Sequence, residues 1–251
     1  MNHSLFFLFS IPALVLLSIP RSISYPAPPL SSRSSQIALR FTPPPPPPDR
    51  SAPGERGEGA SRGCTVGGQS LMAIVPSYEQ EDSVIQVWGL TTVERPGFWF
   101  YIPYDKTVIQ DMEFVLQTDH DETLYRAKVS IPSQVGLVRV QPDAGMETGK
   151  KYHWFFKVKT ACGTNQSVTS NYVEGWVQRQ APAAGLGDRL TAATLQQRAS
   201  LYAENGIWYD ALDTLAEAHF TNPNNANIAQ DWTDLLRAIG LDDLAEQPKV
   251  E

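Results

Sequence analysis

The chain carries four histidines, and these with the carboxylates and the two cysteines are its main stock of reactive groups. His3 falls in an apolar N-terminal run, which leaves His120, His153 and His219. The densest polar cluster is Asp119-His120-Asp121-Glu122. Its oxygens and imidazole suit a divalent ion, but it lacks the ligand spacing of a calcium loop. Asp and His tolerate turn conformations, so it reads as a solvated hairpin tip. No Gly-x-Ser-x-Gly, His-Glu-x-x-His, P-loop or dinucleotide fingerprint is present. No catalytic residue, metal ligand or cofactor site is therefore predicted. Cys64 and Cys162 are the only cysteines and have no His at a ligand spacing. In an oxidising compartment they form one disulfide around 97 intervening residues, worth roughly 4–5 kcal/mol on the chain-entropy model. Two free thiols in a reducing compartment are the other reading, and the export signal described below opposes it.

Aromatics are the second stock. Phe98-Trp99-Phe100-Tyr101 are consecutive, so alternation along a strand turns some of them away from one core. Trp208-Tyr209 stand at a helical turn. Phe98, Tyr101, Trp208 and Tyr209 are the candidate partner surface. Outward rings on a sheet can stack on sugars; the preferred reading is that acidic helices cover them.

The elements that must position these residues are strands first. Turn signals recur through residues 64–180, with candidate strands Leu71–Val75, Ser83–Leu90, Gly97–Pro103, Met112–Thr118, Thr123–Ser130, Gly136–Gln141, Lys151–Thr160 and Tyr172–Arg179. In Lys151–Thr160, Tyr152, Trp154, Phe156 and Val158 alternate with Lys151, His153, Lys157 and Lys159. Met146 to Tyr152 resembles the tyrosine corner of immunoglobulin-like and fibronectin type III domains. On that mapping Tyr152 opens strand F, Gly97–Pro103 is strand C, and Cys162 lies in the F–G loop at the end of the domain where Cys64 precedes strand A. The expected fold class is mostly β with a C-terminal α unit: an immunoglobulin-like β-sandwich followed by a three-helix segment.

The period changes over 187–245. Leu195, Ala199, Tyr202 and Ala203 line one helix stopped by Asn205-Gly206. Ala211, Leu212, Leu215, Ala216 and Ala218 line a second, ending at Asn222-Pro223; Ile228, Trp232, Leu235, Leu236 and Ile239 line a third, closed by Gly240. Tyr202, Gly206, Trp208, the small residues Ala199, Ala211 and Ala218, and Pro223-Asn224-Asn225 resemble the tetratricopeptide repeat. Leu195, Arg198 and Leu215 depart from its preferences. One and a half units bury too little alone, so these helices must pack on the sandwich or on a partner.

Residues 1–24 read as a signal peptide: Leu5–Ile19 is 15 residues of nearly unbroken apolar sequence, and Ser22 and Ser24 suit cleavage before Tyr25. Retention as a membrane anchor is the rival reading. Residues 25–63 contain ten prolines, six of them at 43–48. They read as a proline-rich disordered linker, a spacer in preference to a docking peptide. Residues 246–251 read as a tail. Net charge is −7, and residues 188–251 alone hold 11 acidic against 4 basic side chains. A neutral body with an acidic end has no footprint for nucleic acid.

Several stretches together resemble an uncharacterised cyanobacterial family catalogued as a domain of unknown function, number nine hundred and twenty-eight. They are Arg62-Gly63-Cys64, Gly89-Leu90-Thr91-Thr92 with Glu94-Arg95-Pro96, Phe100-Tyr101-Ile102-Pro103, Gly149 to Trp154, Val173 to Val177, and Leu201 to Leu212. The resemblance implies a cyanobacterial extracytoplasmic protein and supplies no activity. The expected function is an exported, non-catalytic binding or assembly module of the cell envelope with a protein partner. In it the sandwich is the scaffold, and the helices are a partner surface or cap. The alternatives are an envelope carbohydrate-binding protein using strand aromatics and, third, a hydrolase with an unrecognised site.

Overall fold

The computed structural model describes residues 1, 39–45, 54–57, 65–79, 84–162 and 167–251. The expected signal peptide lies outside the described residues apart from Met1. Among those described, no helix is long and apolar enough to cross a membrane.

Among the described residues nine strands form two sheets. They are β1 (Met72–Ala73), β2 (Ser77–Glu79), β3 (Ile85–Thr91), β4 (Phe98–Ile102), β5 (Ile109–Thr118), β6 (Thr123–Lys128), β7 (Gly136–Val140), β8 (Lys151–Cys162) and β9 (Ser167–Arg179). One sheet runs β1-β4-β7; the other runs β2-β3-β9-β8-β5-β6. All pairs are antiparallel except β3 with β9. The chain is thus mostly β with a helical C-terminal region, as its periodicities predict. β2 is too short to carry a period and was not expected.

The alternation of β8 explains the core. Tyr152, Trp154, Phe156 and Val158 are buried and face the other sheet, where Phe100 stacks on Phe156 at 4.1 Å and Phe98 meets Phe114 at 4.9 Å. Tyr152 makes the predicted corner bond: its hydroxyl accepts from the Glu147 amide at 2.7 Å.

The consecutive aromatics of β4 correct one expectation. Phe98–Ile102 does not lie beside β8; it is the middle strand of the three-stranded sheet, and β5 takes the place beside β8. Every residue of β4 is buried. A strand apolar on both faces needs cover on both. Phe98, Phe100 and Ile102 face the six-stranded sheet. Trp99 faces the helices, its ring stacked 6.0 Å from Phe220 and its indole donating to Asp213 at 2.9 Å.

Four helices follow: α1 (Leu186–Ala192), α2 (Leu195–Glu204), α3 (Trp208–Thr221) and α4 (Ala226–Arg237), then a short 3-10 turn at Asp242–Leu244. The last three stand where the sequence predicts; α1 is additional. Thr194 and Gln197 form a reciprocal capping box on α2, and the Asn225 side chain caps α4. Gly206 ends α2 with φ +71°. There the Thr42 carbonyl would lie 2.9 Å from an added Cβ, so glycine is required by conformation and by space. α3 lies across β3 and β4. Gly89 on β3 makes room for it: an added Cβ would stand 3.1 Å from the Tyr209 ring.

The described residues of two segments expected as linker or tail, 39–45 with 54–57 and 246–251, pack on this body. In the 25–63 tract, Leu39 and Phe41 are buried, the Phe41 ring sits edge-on to Trp208 at 4.9 Å, and the Thr42 amide donates to Ala203 O at 3.0 Å. Glu55 exchanges backbone hydrogen bonds with Glu174. Arg56 donates to Ile239 O at 2.7 Å. Bulky residues among the prolines found apolar seats that composition did not reveal. At the other end, Leu137 donates to Pro248 O and accepts from Val250 N, so the last residues run beside β7. Residues 37–251 form one compact unit with a shared core.

Candidate functional site

The aromatics singled out as a partner surface are interior. Phe98, Tyr101, Trp208 and Tyr209 are all at most 2% exposed, because Phe98 packs against the six-stranded sheet while α3 and the C-terminal turn fill the space over the other face of β3 and β4. The Trp208 indole donates to Ile74 O at 2.9 Å. The Tyr209 hydroxyl accepts from the Trp154 indole at 2.8 Å and donates to Trp176 O at 3.1 Å. Burial pushes its ionisation well above the usual range. None of the four offers an accessible ring to a partner.

Beside them, two clusters tie α3 to the sheets. The Asp210 carboxylate accepts from both hydroxyls of Thr91 and Thr92 and from the Thr92 amide at 2.9 Å. Burial raises its pKa. Asp213 accepts two bonds from Arg139, at 2.6 and 2.7 Å, in addition to that of Trp99. These bonds hold the Arg139 guanidinium above its ordinary pKa. They form one wall of a 570 Å³ cleft also lined by Glu217, Phe220 and Lys249. The polar atoms on that wall are already bonded to one another, which makes it a clamp between β7 and α3.

The outer face of the six-stranded sheet is different. Even-numbered residues of β9 and odd-numbered residues of β8 point outward, because their neighbours Val173, Val177, Trp154 and Phe156 fill the core. The register places Trp176 beside His153, Glu174 beside Phe155 and Tyr172 beside Lys157. The His153 ring stacks on Trp176 at 4.3 Å and 9° and lies 4.1 Å from the Phe155 ring. Lys157 Nζ stands 5.5 Å above Phe155. His153 Nε2 lies 2.9 Å from Glu174 Oε2, close but poorly aligned for a hydrogen bond. A shallow 360 Å³ hollow is lined by Phe155, Lys157, Ser170, Tyr172 and Glu174. Trp88, next along the row, is closed off under Tyr78. The sequence signal for this face was Phe155, an apolar residue on the otherwise polar side of β8.

The hairpin tip 119–122 is solvated as expected. Asp121 takes φ 63°, and the Thr118 hydroxyl accepts from the His120 and Glu122 amides. Among the described residues, no three His, Cys, Asp or Glu gather as metal ligands. His219 stacks on Trp232 at 5.4 Å, far in sequence and role from His153. Cys162 ends β8, opposite Ser167; Cys64 lies outside the described residues.

Fold and faces define a β-rich domain of two packed sheets, closed on one side by helices and bearing aromatic residues on the other. The chain belongs to the family described as Domain of Unknown Function (DUF928), whose model matches residues 57–249. No curated protein matches the chain.

Proposed function

We propose that this protein is an exported, non-catalytic binding or assembly module of the cell envelope, with the sheets as scaffold, the helices as cap and the outer face of β9-β8-β5 as the binding face. The observation that carries this reading is the cluster His153, Phe155, Tyr172 and Trp176. It joins ring faces to Lys157 and Glu174 around a shallow hollow among the described residues. Aromatic residues ringed by polar ones mark recognition surfaces more often than reaction centres.

The strand order supports an immunoglobulin-like assignment: β3 beside β9 in parallel, then β8, β5 and β6, opposite β1-β4-β7, with the Tyr152 corner bond. The α2–α3 hairpin with Gly206 at its turn supports a tetratricopeptide-like unit. A Cys64–Cys162 disulfide, and with it export of a cyanobacterial envelope protein, is favoured by placement. Thr65 bridges to Tyr104, whose hydroxyl accepts from Asn171 at 3.0 Å. Asn171 in turn lies against Thr160, two residues before Cys162. No free cysteine is found among the described residues.

The test places a photo-crosslinking residue at Phe155 in the full-length protein and irradiates intact envelopes. A defined adduct, lost when Tyr172→Ala and Trp176→Ala are added, is the expected result. A crosslink pattern identical to that of a probe on the β6 edge refutes the binding face. A second reading, carbohydrate binding, is favoured by the same flat rings beside the Glu174 carboxylate. It predicts glycan-array binding that quenches Trp176 fluorescence and is abolished by Phe155→Ala. An array without a hit disposes of it.

A further inference from the structure

The cleft between α3 and the three-stranded sheet holds polar groups that the Arg139–Asp213 clamp does not use. One wall is α3. Asp213, Glu217 and Thr221 stand four residues apart along it, with Ala216 and Phe220 between them. The other wall is the sheet. Trp99 pairs with Arg139 across β4 and β7, and Lys249 pairs in parallel with Leu137. Leu137 and Arg139 are two residues apart on β7, so Lys249 shares their helix-facing side. Every residue that lines this 570 Å³ cleft is among those described.

Two charged groups in it are uncommitted. Glu217 and Lys249 are both exposed, and among the described residues neither side chain makes an ion pair or a hydrogen bond. The charge of Glu217 is felt by Arg139 without a bond between them. Arg139 gives three of its five N–H donors to Asp213 and Gln141, which leaves two. The Ala216 methyl and the part-buried Phe220 ring, stacked 6.0 Å from Trp99, supply apolar surface between the polar groups. The clamp is neutral in itself. The described lining therefore offers an ammonium on one wall, a carboxylate on the other and an apolar strip.

We propose that this cleft binds a short apolar peptide with free ends, its carboxylate at Lys249 and its ammonium at Glu217. A ligand with a single charge would leave one wall unmatched; a zwitterion matches both. Length decides between a free amino acid and a peptide. From Asp213 to Thr221 the helical wall runs about 12 Å at ~1.5 Å per residue. Three extended residues span about 10 Å at ~3.3 Å each. A single amino acid carries both charges on one carbon and cannot set them at two walls with an apolar strip between. The volume of 570 Å³ also falls within the ~300–1,000 Å³ of small-ligand sites. The cleft lies on the helix side of the sheets, away from the aromatic face of β8 and β9, and its occupancy does not depend on that face.

Titration of the isotope-labelled full-length protein with alanyl-leucyl-alanine tests this by NMR. The probe is the Trp99 indole N–H, which donates to Asp213 at the cleft wall. The expected result is a saturable shift of that resonance. Acetylating the amino end of the peptide and amidating its carboxyl end should each weaken binding about fivefold. Glu217→Gln should make binding indifferent to acetylation, and Lys249→Gln indifferent to amidation. Both side chains are exposed and outside the clamp, so far-UV circular dichroism should be unchanged in either variant. Three results overturn the proposal: no saturable shift at Trp99, a shift that ignores both blocked ends, or free leucine binding as tightly as the tripeptide, which would make the cleft a site for single amino acids.

Discussion

Replacing Phe41 by Ala removes a ring that is 7% exposed and packed edge-on against Trp208 at 4.9 Å. A buried Phe→Ala change costs roughly 3–5 kcal/mol in a core, of which the ring pair itself supplies about 0.5–1.5. The loss here has a ceiling. Residues 39–45 are held by Leu39, Phe41 and the Thr42 bond to Ala203. Once the damage exceeds the docking free energy of this short strap, the strap detaches and the rest stays folded. The expected global loss is therefore about 2–3 kcal/mol, with a shallower denaturant slope because less surface remains to be exposed. Urea unfolding followed by tryptophan fluorescence gives both quantities. Hydrogen exchange at the Thr42 amide reports the strap directly: protected in the wild type, freely exchanging in the variant. An unchanged midpoint, with Thr42 exchanging as fast as a free peptide in both proteins, would refute the placement of the strap in the fold.

Three further outcomes follow from the clamps around α3 and the corner of β8. Asp213→Ala leaves the Arg139 guanidinium and the Trp99 indole without their acceptor, costing roughly 2–4 kcal/mol in thermal or urea unfolding; a loss within error would show the cleft wall to be idle. Tyr152→Phe deletes the acceptor of the Glu147 amide and should cost about 1–3 kcal/mol, with exchange accelerated most at Glu147; uniform acceleration along β8 would argue against a local corner bond. Asp210 is held by burial above its unfolded pKa, so the folded state binds this proton first. Wild-type stability should rise relative to Asp210→Asn as pH falls from neutral through the folded value, and level off near ~4 where the unfolded carboxylate also protonates. Parallel stability profiles for the two proteins would contradict that.

The strands that were legible in advance were those with a clean period. β8 shows its buried face in Tyr152, Trp154, Phe156 and Val158 because one side meets core and the other meets water. β4 was legible as a strand but not as a neighbour: Phe98–Ile102 is buried on both faces, so no alternation indicates which sheet it joins. The binding face was hidden for a related reason. Phe155, Tyr172 and Trp176 come from two strands and become a cluster only through the β8–β9 register.

The sequence by itself determined the succession of strands then helices, the ends of α2, α3 and α4 near Gly206, Pro223 and Gly240, the corner at Tyr152, and the family. These depend on local periodicity, backbone conformation and nearby hydrogen bonds. Only the tertiary structure decided that Trp208 and Tyr209 are core, that Leu39 and Phe41 belong to the body, and that Phe155, Tyr172 and Trp176 share one face. Burial and pairing are set by residues far apart in the chain, and no local pattern records which distant surface will arrive to cover a ring or complete a strand.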